Sequence, residues 1–487
     1  MFSERFSDAG NAIWFAKVFG DNVRFVREHG RWIVNAGTHW RVDVDGEVER
    51  LAKQAIASIF MDLANPELTS SPELREARSK HALKSEQAPR LLAAISLLKS
   101  EPGITISAAR LDTDAHLLGV RGGVIDLRTG ALRQPRGDEY VCRQAHAEFR
   151  EGARCPTWLR FLDRIMADDG EMIAFLQRAV GYSLTGDTRE QAVFICHGGG
   201  SNGKSVFLRT IRELLGAYGA DANADTFLER RDGVASNDLA RLAGARLVAV
   251  SEIDEGKRLA ESLVKAATGG EAISARFLYA EYFSFVPTFK LWLAVNHKPS
   301  IRGDDNGIWR RIRLVPFRVT IAPDEQDKEL LTKLRLELPG ILNWALDGCA
   351  AWRRDGLAPP IEVTRATAAY RAESDAIGEW IAERCTVGGI SQVQAKTLYD
   401  DYRAFTEARG GMALSMRRWA QRLADRGFQK DEGRVVHYRG IALCALRDHC
   451  DQFPGTSSYT HTCSDLPEKG REGRNGRSGY LAAREGE

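Results

Sequence analysis

Eight consecutive residues, Gly198-Gly199-Gly200-Ser201-Asn202-Gly203-Lys204-Ser205, match the pattern G-x-x-x-x-G-K-[ST] without a mismatch. The chemistry open to such a stretch is phosphate binding. Its glycines let backbone N–H groups turn inward around a β-phosphate, and its lysine can reach the β- and γ-phosphates. Its serine hydroxyl can ligate Mg²⁺. A chance glycine-rich turn is the bland alternative, and the flanks argue against it. The apolar run AVFICH leads in. KSVFLRTIRELLG leads out as a helix ending at Gly216, with Phe207, Ile211, Leu214 and Leu215 on one face. The N-terminus of that helix adds dipole stabilisation for an anion. The stretch reads as the seat of a nucleoside triphosphate, ATP with Mg²⁺.

Hydrolysis also needs a carboxylate near the metal and the attacking water. ARLVAVSEIDEG supplies Glu252 at the end of an apolar strand, where ligands of open α/β sheets bind. A paired-acid pattern would put a second carboxylate at 251, which here is Ser251, so Glu252 could activate water, hold Mg²⁺ or do both. An exposed acidic loop is the plainer reading. KLWLAVNHKP ends in Asn296, whose neutral amide could orient the lytic water, although Asn also suits an ordinary turn. NGIWRRIRLVPF then groups Arg310, Arg311 and Arg313. An arginine supplied to a neighbouring subunit can neutralise transition-state charge, and adjacency leaves Arg310 and Arg311 undistinguished.

The elements that must position these residues are legible as patterns. Short apolar runs AVFICH, RLVAVSE, LWLAVN and RIRLVPF, separated by helical stretches between 192 and 317, predict a parallel sheet covered on both faces. Upstream, RWIVNAGTHWRVD predicts a hairpin and EVERLAKQAIASIFMDLA a helix. GGVIDLRTGALR predicts two strands around Thr129-Gly130, and TWLRFLDRIMA and EMIAFLQRAVGYSL predict two amphipathic helices. Downstream, LYDDYRAFTEARG, SMRRWAQRLADRGF and GRVVHYRGIAL read as helix, helix and hairpin. The stretch from 448, rich in Gly, Ser, Glu and Arg, reads as a disordered tail.

Bulk composition bounds the class. The chain has 487 residues, 44% apolar and 28% charged, enough for two to four domains. No apolar run approaches the roughly 18 residues of a membrane span, no secretion signal opens the chain, and eight scattered cysteines fit a reducing cytoplasm. A net charge of +2 makes the whole chain no polycation, so any nucleic-acid surface must be local.

The order of phosphate loop, acid-ended strand, hairpin, Asn-ended strand and arginines resembles the superfamily 3 helicases, a branch of the AAA+ ATPases. More narrowly the chain is similar to phage and plasmid primase-helicases related to the poxvirus primase-helicase. The match is carried by GGVIDLRTG, CPTWLRFL, FLQRAVGYSLTG, GGGSNGKSVF, LVKAATGGEAISARFLYAE, FKLWLAVNHKP, DDNGIWRRIRLVPF and YRAESDAIGEW. It covers the chain up to about 445. Gly122, Ala267 and Glu271 depart mildly from the family pattern, which has Asn, Leu and Asp there.

The resemblance implies an α/β fold. A helicase-associated domain would span 1–155, an AAA+ ATPase domain with a parallel sheet core 156–345, and a winged-helix module 362–447, before the tail at 448–487. It implies a homohexameric ring that hydrolyses ATP between subunits, moves on single-stranded DNA, 3′ to 5′, and unwinds forked duplex. In related rings a hairpin before the Asn-ended strand grips DNA. ISARFLYAEYFSFVP fits such a hairpin, turning at Tyr279–Tyr282. Arg276 on a strand, Lys290 and Lys298 are then candidates for phosphate contact, and Tyr279 and Tyr282 for stacking on bases. Tyrosines packed within the domain are the plain alternative.

In the winged-helix reading, Ser415 caps a helix whose Trp419 and Leu423 face the core. Arg417, Arg418 and Arg422 lie off that stripe as DNA contacts, and a hairpin turning at Asp431-Glu432-Gly433 forms the wing. The chain begins where the helicase-associated region begins. Primer synthesis is therefore expected from a separate primase or initiator protein, with DVD at 43–45 and DTD at 112–114 read as turns. Cys444, His449, Cys450, His461 and Cys463 match no familiar zinc spacing. Two other classes stay open: an ATP-regulated DNA-binding replication initiator or loader without processive unwinding, and a monomeric phosphotransferase indifferent to DNA.

Overall fold

The computed structural model describes residues 5–63, 71–229, 236–251, 253–278, 281–301, 306–409, 413–431 and 435–444. The described residues fall into two compact units, one within 1–383 with 402–414, the other within 384–401 with those described from Ser415 onward.

The first unit opens with α1 (Asp8–Phe19), capped by the Ser7 hydroxyl accepting the Gly10 N–H. Strands β1 (Val23–Val26), β2 (Arg31–Asn35) and β3 (Trp40–Val42) follow. Helices α2 (Glu47–Leu63), α3 (Pro72–Ser85) and α4 (Ala88–Leu98) lead to β4 (Thr105–Ile106). The predicted hairpin is the β2–β3 pair. Sheet order is β3-β2-β1-β4, mixed because β4 joins β1 in parallel. Phe15, Val23, Val34, Ile56 and Leu98 fill the core between this sheet and its helices.

Next come β5 (Leu117–Val120), β6 (Gly123–Asp126) and β7 (Ala131–Arg133), an antiparallel meander. The turn into β7 falls at Thr129-Gly130, as the pattern predicts. The two predicted helices are α5 (Pro156–Met166) and α6 (Gly170–Leu184).

The central sheet is built from β8 (Val193–His197), α7 (Lys204–Leu215), β9 (Gly219–Ala222), α8 (Ser236–Ala240), β10 (Leu247–Ser251) and α9 (Glu261–Gly269). The hairpin strands β11 (Ile273–Ala275) and β12 (Phe283–Phe285) precede β13 (Lys290–Val295), α10 (Asn306–Trp309) and β14 (Ile312–Pro316). Five strands lie in the order β14-β8-β13-β10-β9, and every pairing is parallel. Helices α11 (Leu330–Leu336), α12 (Leu338–Asp355), α13 (Ile361–Glu373) and α14 (Ala376–Arg384) complete the unit.

Strand alternation explains the continuous apolar runs. Phe194, Cys196, Trp292 and Ala294 face one cluster, with Trp158, Phe207 and Leu342 from α5, α7 and α12. Val193, Ile195, Leu291 and Leu293 face the other, with Val264 and Ile308. Phe194 stacks on Trp292 with centroids 4.2 Å apart, and Trp158 on Phe207 at 5.6 Å. Each such fully buried side chain contributes roughly 1.5–3 kcal/mol, so α5 and α7 are fixed firmly against the sheet.

The meander is not a separate body. Leu118, Val120, Ile125 and Ala145 share the cluster of Phe194 and Trp292. Buried Arg246 donates to the carbonyls of Leu117 and Leu184, both at 2.6 Å, and lies 4.3 Å over the Tyr218 ring. Arg143 donates to the carbonyls of Ala217 and Ala243, also at 2.6 Å. An Asp112 carboxylate oxygen accepts from the Cys142 and Arg143 N–H groups at 2.8 and 3.3 Å, and burial pushes this carboxyl above its ordinary range.

In the second unit β15 (Cys385–Gln394) leads into α15 (Ala395–Ala408), whose first residues belong to this unit. It then contains α16 (Met416–Asp425), β16 (Lys430–Asp431) and β17 (His437–Leu443). Its antiparallel sheet runs β15-β17-β16. Trp419 and Leu423 are fully buried with Tyr438, as the helical stripe predicts. Ser415 occupies the N-cap position of α16 but its side chain makes no capping bond. No described helix is long and apolar enough to cross a membrane.

Candidate functional site

β8 is the strand from which the chain turns to the far edge of the sheet, and the glycine-rich loop leaves its C-terminal end. Val295 pairs with His197, so Asn296 emerges beside that loop. Ser251 pairs with Ala294 one strand further on. The sheet thus delivers the loop, the Ser251 end and Asn296 to one edge, where open α/β sheets bind ligands.

Two glycines have no room for a side chain. A Cβ on Gly198 would lie 2.2 Å from the Phe317 carbonyl oxygen, and one on Gly203 would lie 2.6 Å from the Ile165 side chain. Gly203 also has φ +84, the left-handed region that glycine tolerates best. Gly203 is the N-cap of α7 and supplies no side-chain cap, so the first-turn N–H groups point into the loop. Backbone donors at a helix N-terminus suit an anion.

Lys204 is 5% exposed, and its Nζ donates to the Gly198 carbonyl at 2.6 Å, Asn202 Oδ1 at 2.9 Å and Asn296 Oδ1 at 3.1 Å. Burial lowers this ammonium below its ordinary lysine value. Beneath it, burial pushes the Cys196 thiol up to about 12, so it stays protonated and inert. The Asn202 amide in turn donates to the Phe317 carbonyl at 3.4 Å. A cleft of about 810 Å³ opens here, lined by Ser201, Lys204, Ser205, Asp221, Ser251 and Asn296. The exposed Ser205, in the first turn of α7, offers an oxygen of the kind Mg²⁺ takes.

The structure therefore brings together Gly198, Gly199, Gly200, Ser201, Asn202, Gly203, Lys204, Ser205 and Asn296. Glu252 and Tyr279 lie outside the described residues, as do Glu432 and Gly433 of the predicted wing turn. So do the tail from 445 and its His449, Cys450, His461 and Cys463. Among the described residues no group of three or more His, Cys, Asp or Glu could hold a metal.

The arginines part company. Arg310 is exposed and donates to Gln191 Oε1 at 2.8 Å. Arg311 is 7% exposed and is consumed internally, donating to Thr268 Oγ1 at 3.0 Å and to the Gly307 carbonyl. Arg313 donates to the Arg310 and Ile312 carbonyls.

One expectation about DNA contact and one about strand placement need correction. Lys290 is 1% exposed, with its ammonium on the carbonyls of Thr185, Asp187 and Thr288, and burial holds it well below the ordinary lysine value. It opens a wholly buried strand and cannot reach a phosphate. Arg276 is not on a strand, because β11 stops at Ala275. It is exposed beyond β11, its guanidinium 4.8 Å from the centre of the exposed Tyr282 ring. Lys298 is only partly exposed and pairs with Glu373 at 2.6 Å. In the second unit Arg417 and Arg418 are exposed on α16, and Arg422 is half-buried.

Sequence reasoning missed Asp221, on a strand of small residues, and the partners Gln191 and Glu373, which no local pattern marks.

Comparison with known proteins gives the same direction. A family described as "D5 N terminal like" matches residues 12–167, and a "Family of unknown function (DUF5906)" matches 196–311. The chain is 28% identical over 296 residues to "Putative helicase L207/L206" of Acanthamoeba polyphaga mimivirus, covering 56% of this chain and 31% of that protein. It is 29% identical over 272 residues to "Putative helicase 022R" of Frog virus 3, covering 51% and 28%. A primase-named protein of African swine fever virus, C962R, is 26% identical over 215 residues, covering 42% and 22%. The chain thus spans about a third or less of the length of these curated relatives. Among solved structures, the C-terminal region of NrS-1 in its apo form aligns over 89% of this chain and 99% of that one, at 10% identity and a TM-score of 0.49. The chain thus carries a region matching the D5 N terminal like family and a region matching DUF5906, and over these it is similar to viral proteins named as helicases and primases.

Proposed function

We propose that this chain is the motor of a replicative DNA helicase, an ATP hydrolase of the AAA+ class. In this reading 156–345 is the ATPase module, preceded by the associated region 1–155 and followed by a winged helix at 362–447. The observation that carries the reading is the Lys204–Asn202–Asn296 constellation at the C-terminal edge of a parallel sheet ordered β14-β8-β13-β10-β9. Tight glycines, uncapped helix amides and a buried lysine suit a triphosphate, and the helicase names of the viral relatives agree in kind.

Roles follow from chemistry. Gly198 to Ser205 cradle the phosphates, and Lys204 leaves its three acceptors for the β- and γ-oxygens. Ser205 and Glu252 would hold Mg²⁺, which when bound neutralises phosphate charge. Asn296 orients the attacking water without adding negative charge. Of the adjacent arginines, exposed Arg310 can serve a neighbouring subunit, whereas Arg311 is already committed within its own. Chains assembled as a homohexamer would pass single-stranded DNA along the β11–β12 hairpin, with Arg276 on phosphate and Tyr282 on bases. Arg417, Arg418 and Arg422 would meet duplex at the fork, and a separate primase or initiator would complete the machinery.

The test is ATPase and fork unwinding with and without single-stranded DNA, with Lys204→Ala as the blank. DNA-stimulated hydrolysis with unwinding supports the helicase. Stimulation without unwinding would favour an initiator or loader, and no response to DNA would remove both.

A further inference from the structure

We propose that α13 is a positioning element for hydrolysis, with Glu373 and Tyr370 setting the place of Asn296 through the loop that follows it. The inference rests on reading Lys204 and Asn296 as parts of an ATPase site.

Asn296 is itself exposed, and its amide oxygen meets Lys204 only where the chain around it is held in place. Three ties hold residues 298–300, the segment that follows it. Lys298, two residues on, donates to Glu373 Oε2 at 2.6 Å, and its Nζ lies 5.6 Å from the centre of the Tyr370 ring. The Tyr370 hydroxyl donates to the Pro299 carbonyl. Ser300 completes the stitching, its N–H on the Lys257 carbonyl at 2.8 Å and its carbonyl taking the Leu259 N–H at 3.1 Å. The segment holding Ser300 follows β10, so the ends of two neighbouring strands are joined.

α13 also touches the arginine segment. Tyr370, 2% exposed, packs edge-on against Trp309 with centroids 5.2 Å apart. Arg371 donates to Asn306 Oδ1 at 2.9 Å, and Thr367 Oγ1 accepts the Leu314 N–H at 3.0 Å. A single helix thus contacts the Asn296 loop with Glu373 and Tyr370, and the residues flanking Arg310 with Trp309's partner and Thr367. Displacing the loop would misplace the Asn296 amide relative to Lys204, and small misplacements of an aligned group cost rate more than binding. The Lys298–Glu373 pair is partly exposed and adds little to global stability. Its removal should therefore show in turnover rather than in melting.

The experiment is steady-state ATPase on the full chain with ATP, comparing Glu373→Gln, Asn296→Ala and the double variant. Glu373→Gln should lower kcat about tenfold with KM and Tm little changed. The charge exchange Lys298→Glu with Glu373→Lys should restore most of it. In the Asn296→Ala background Glu373→Gln should have no further effect. Tyr370→Phe, which keeps the ring and loses only the bond to Pro299, should show the same kcat loss even if the exchanged pair fails to fold. Full kcat in both Glu373→Gln and Tyr370→Phe, or losses that simply add to that of Asn296→Ala, would overturn the inference while hydrolysis abolished by Lys204→Ala left the site reading intact. Absence of Lys204-dependent hydrolysis in the wild type would overturn both.

Discussion

Lys204 Nζ lies 3.1 Å from Asn296 Oδ1, joining the start of α7 to the end of β13 through a neutral acceptor. The neutrality matters because a carboxylate there would pair with the ammonium and repel phosphate. Asn296→Ala should leave nucleotide binding nearly intact and lower kcat about ten- to hundredfold, as loss of a group aimed at the reacting centre does. Asn296→Asp should weaken binding as well. Fluorescent-nucleotide titration beside steady-state ATPase separates the two, and an unchanged kcat for the alanine variant would remove Asn296 from the site.

Arg310 and Arg311 are adjacent in sequence and opposite in environment, so their alanine variants should fail differently. Arg311→Ala removes the guanidinium that joins Thr268 to the Gly307 carbonyl and leaves a void at a buried position, at a cost of about 2–4 kcal/mol. Its Tm should fall. Arg310→Ala should melt like wild type and lose ATPase, and mixing it with Lys204→Ala chains should recover part of the activity. Recovery is the signature of an arginine working on a neighbour, and its absence would place Arg310 elsewhere.

Lys290→Met should destabilise by about 2–4 kcal/mol, because three carbonyls lose their cation in a buried strand. The salt dependence of DNA binding should not change. Arg276→Ala should do the reverse, leaving Tm alone and reducing the slope of log affinity against log salt by about one. Fluorescence anisotropy over a salt series reads this directly.

Asp112 gives a pH dependence of unusual sign. Burial raises its carboxyl above the unfolded value of 3.8, so the folded chain binds the proton more readily. The stability it contributes is complete below that unfolded value and is lost as pH rises through the folded one. Asp112→Asn keeps an acceptor for the Cys142 and Arg143 N–H groups and should remove this contribution, stabilising the chain at neutral relative to acid pH. Asp112→Ala leaves both donors unmatched and should cost about 1–3 kcal/mol. Urea melts across pH would test both variants, and a steeper pH dependence in Asp112→Asn would contradict the assignment.

The strands β8, β10, β13 and β14 were legible because strands covered on both faces must be apolar throughout. β9, Gly-Ala-Asp-Ala, was not, since an edge strand of small residues leaves no hydrophobic signal. Lys290 looked like a surface cation, and only its place at the head of an unbroken apolar run hints at burial. β15 was hidden by two glycines and a register shift between Val387 and Gln392. The phosphate loop was readable because its chemistry is contiguous. Its supports were not: the Asn202 amide reaches the Phe317 carbonyl 115 residues on, and Lys298 finds Glu373 75 residues downstream. Sequence spacing marks which groups can act, while through-space packing decides which are free to.

The clasp of Arg143 on the Ala217 and Ala243 carbonyls, with Arg246 reaching back to Leu117, bears on how this chain can be inherited or cut. Arg143 spends both of these bonds on backbone from the other side and Arg246 spends one of its two, so neither stretch closes all of its own hydrogen bonds. A gene fusion or recombination joint placed at residue 156 would leave Arg246 buried without the Leu117 acceptor and open the carbonyls of 217 and 243. Shuffling between relatives should therefore respect a junction upstream of Asp112, and the meander should travel with the sheet as a single genetic cassette.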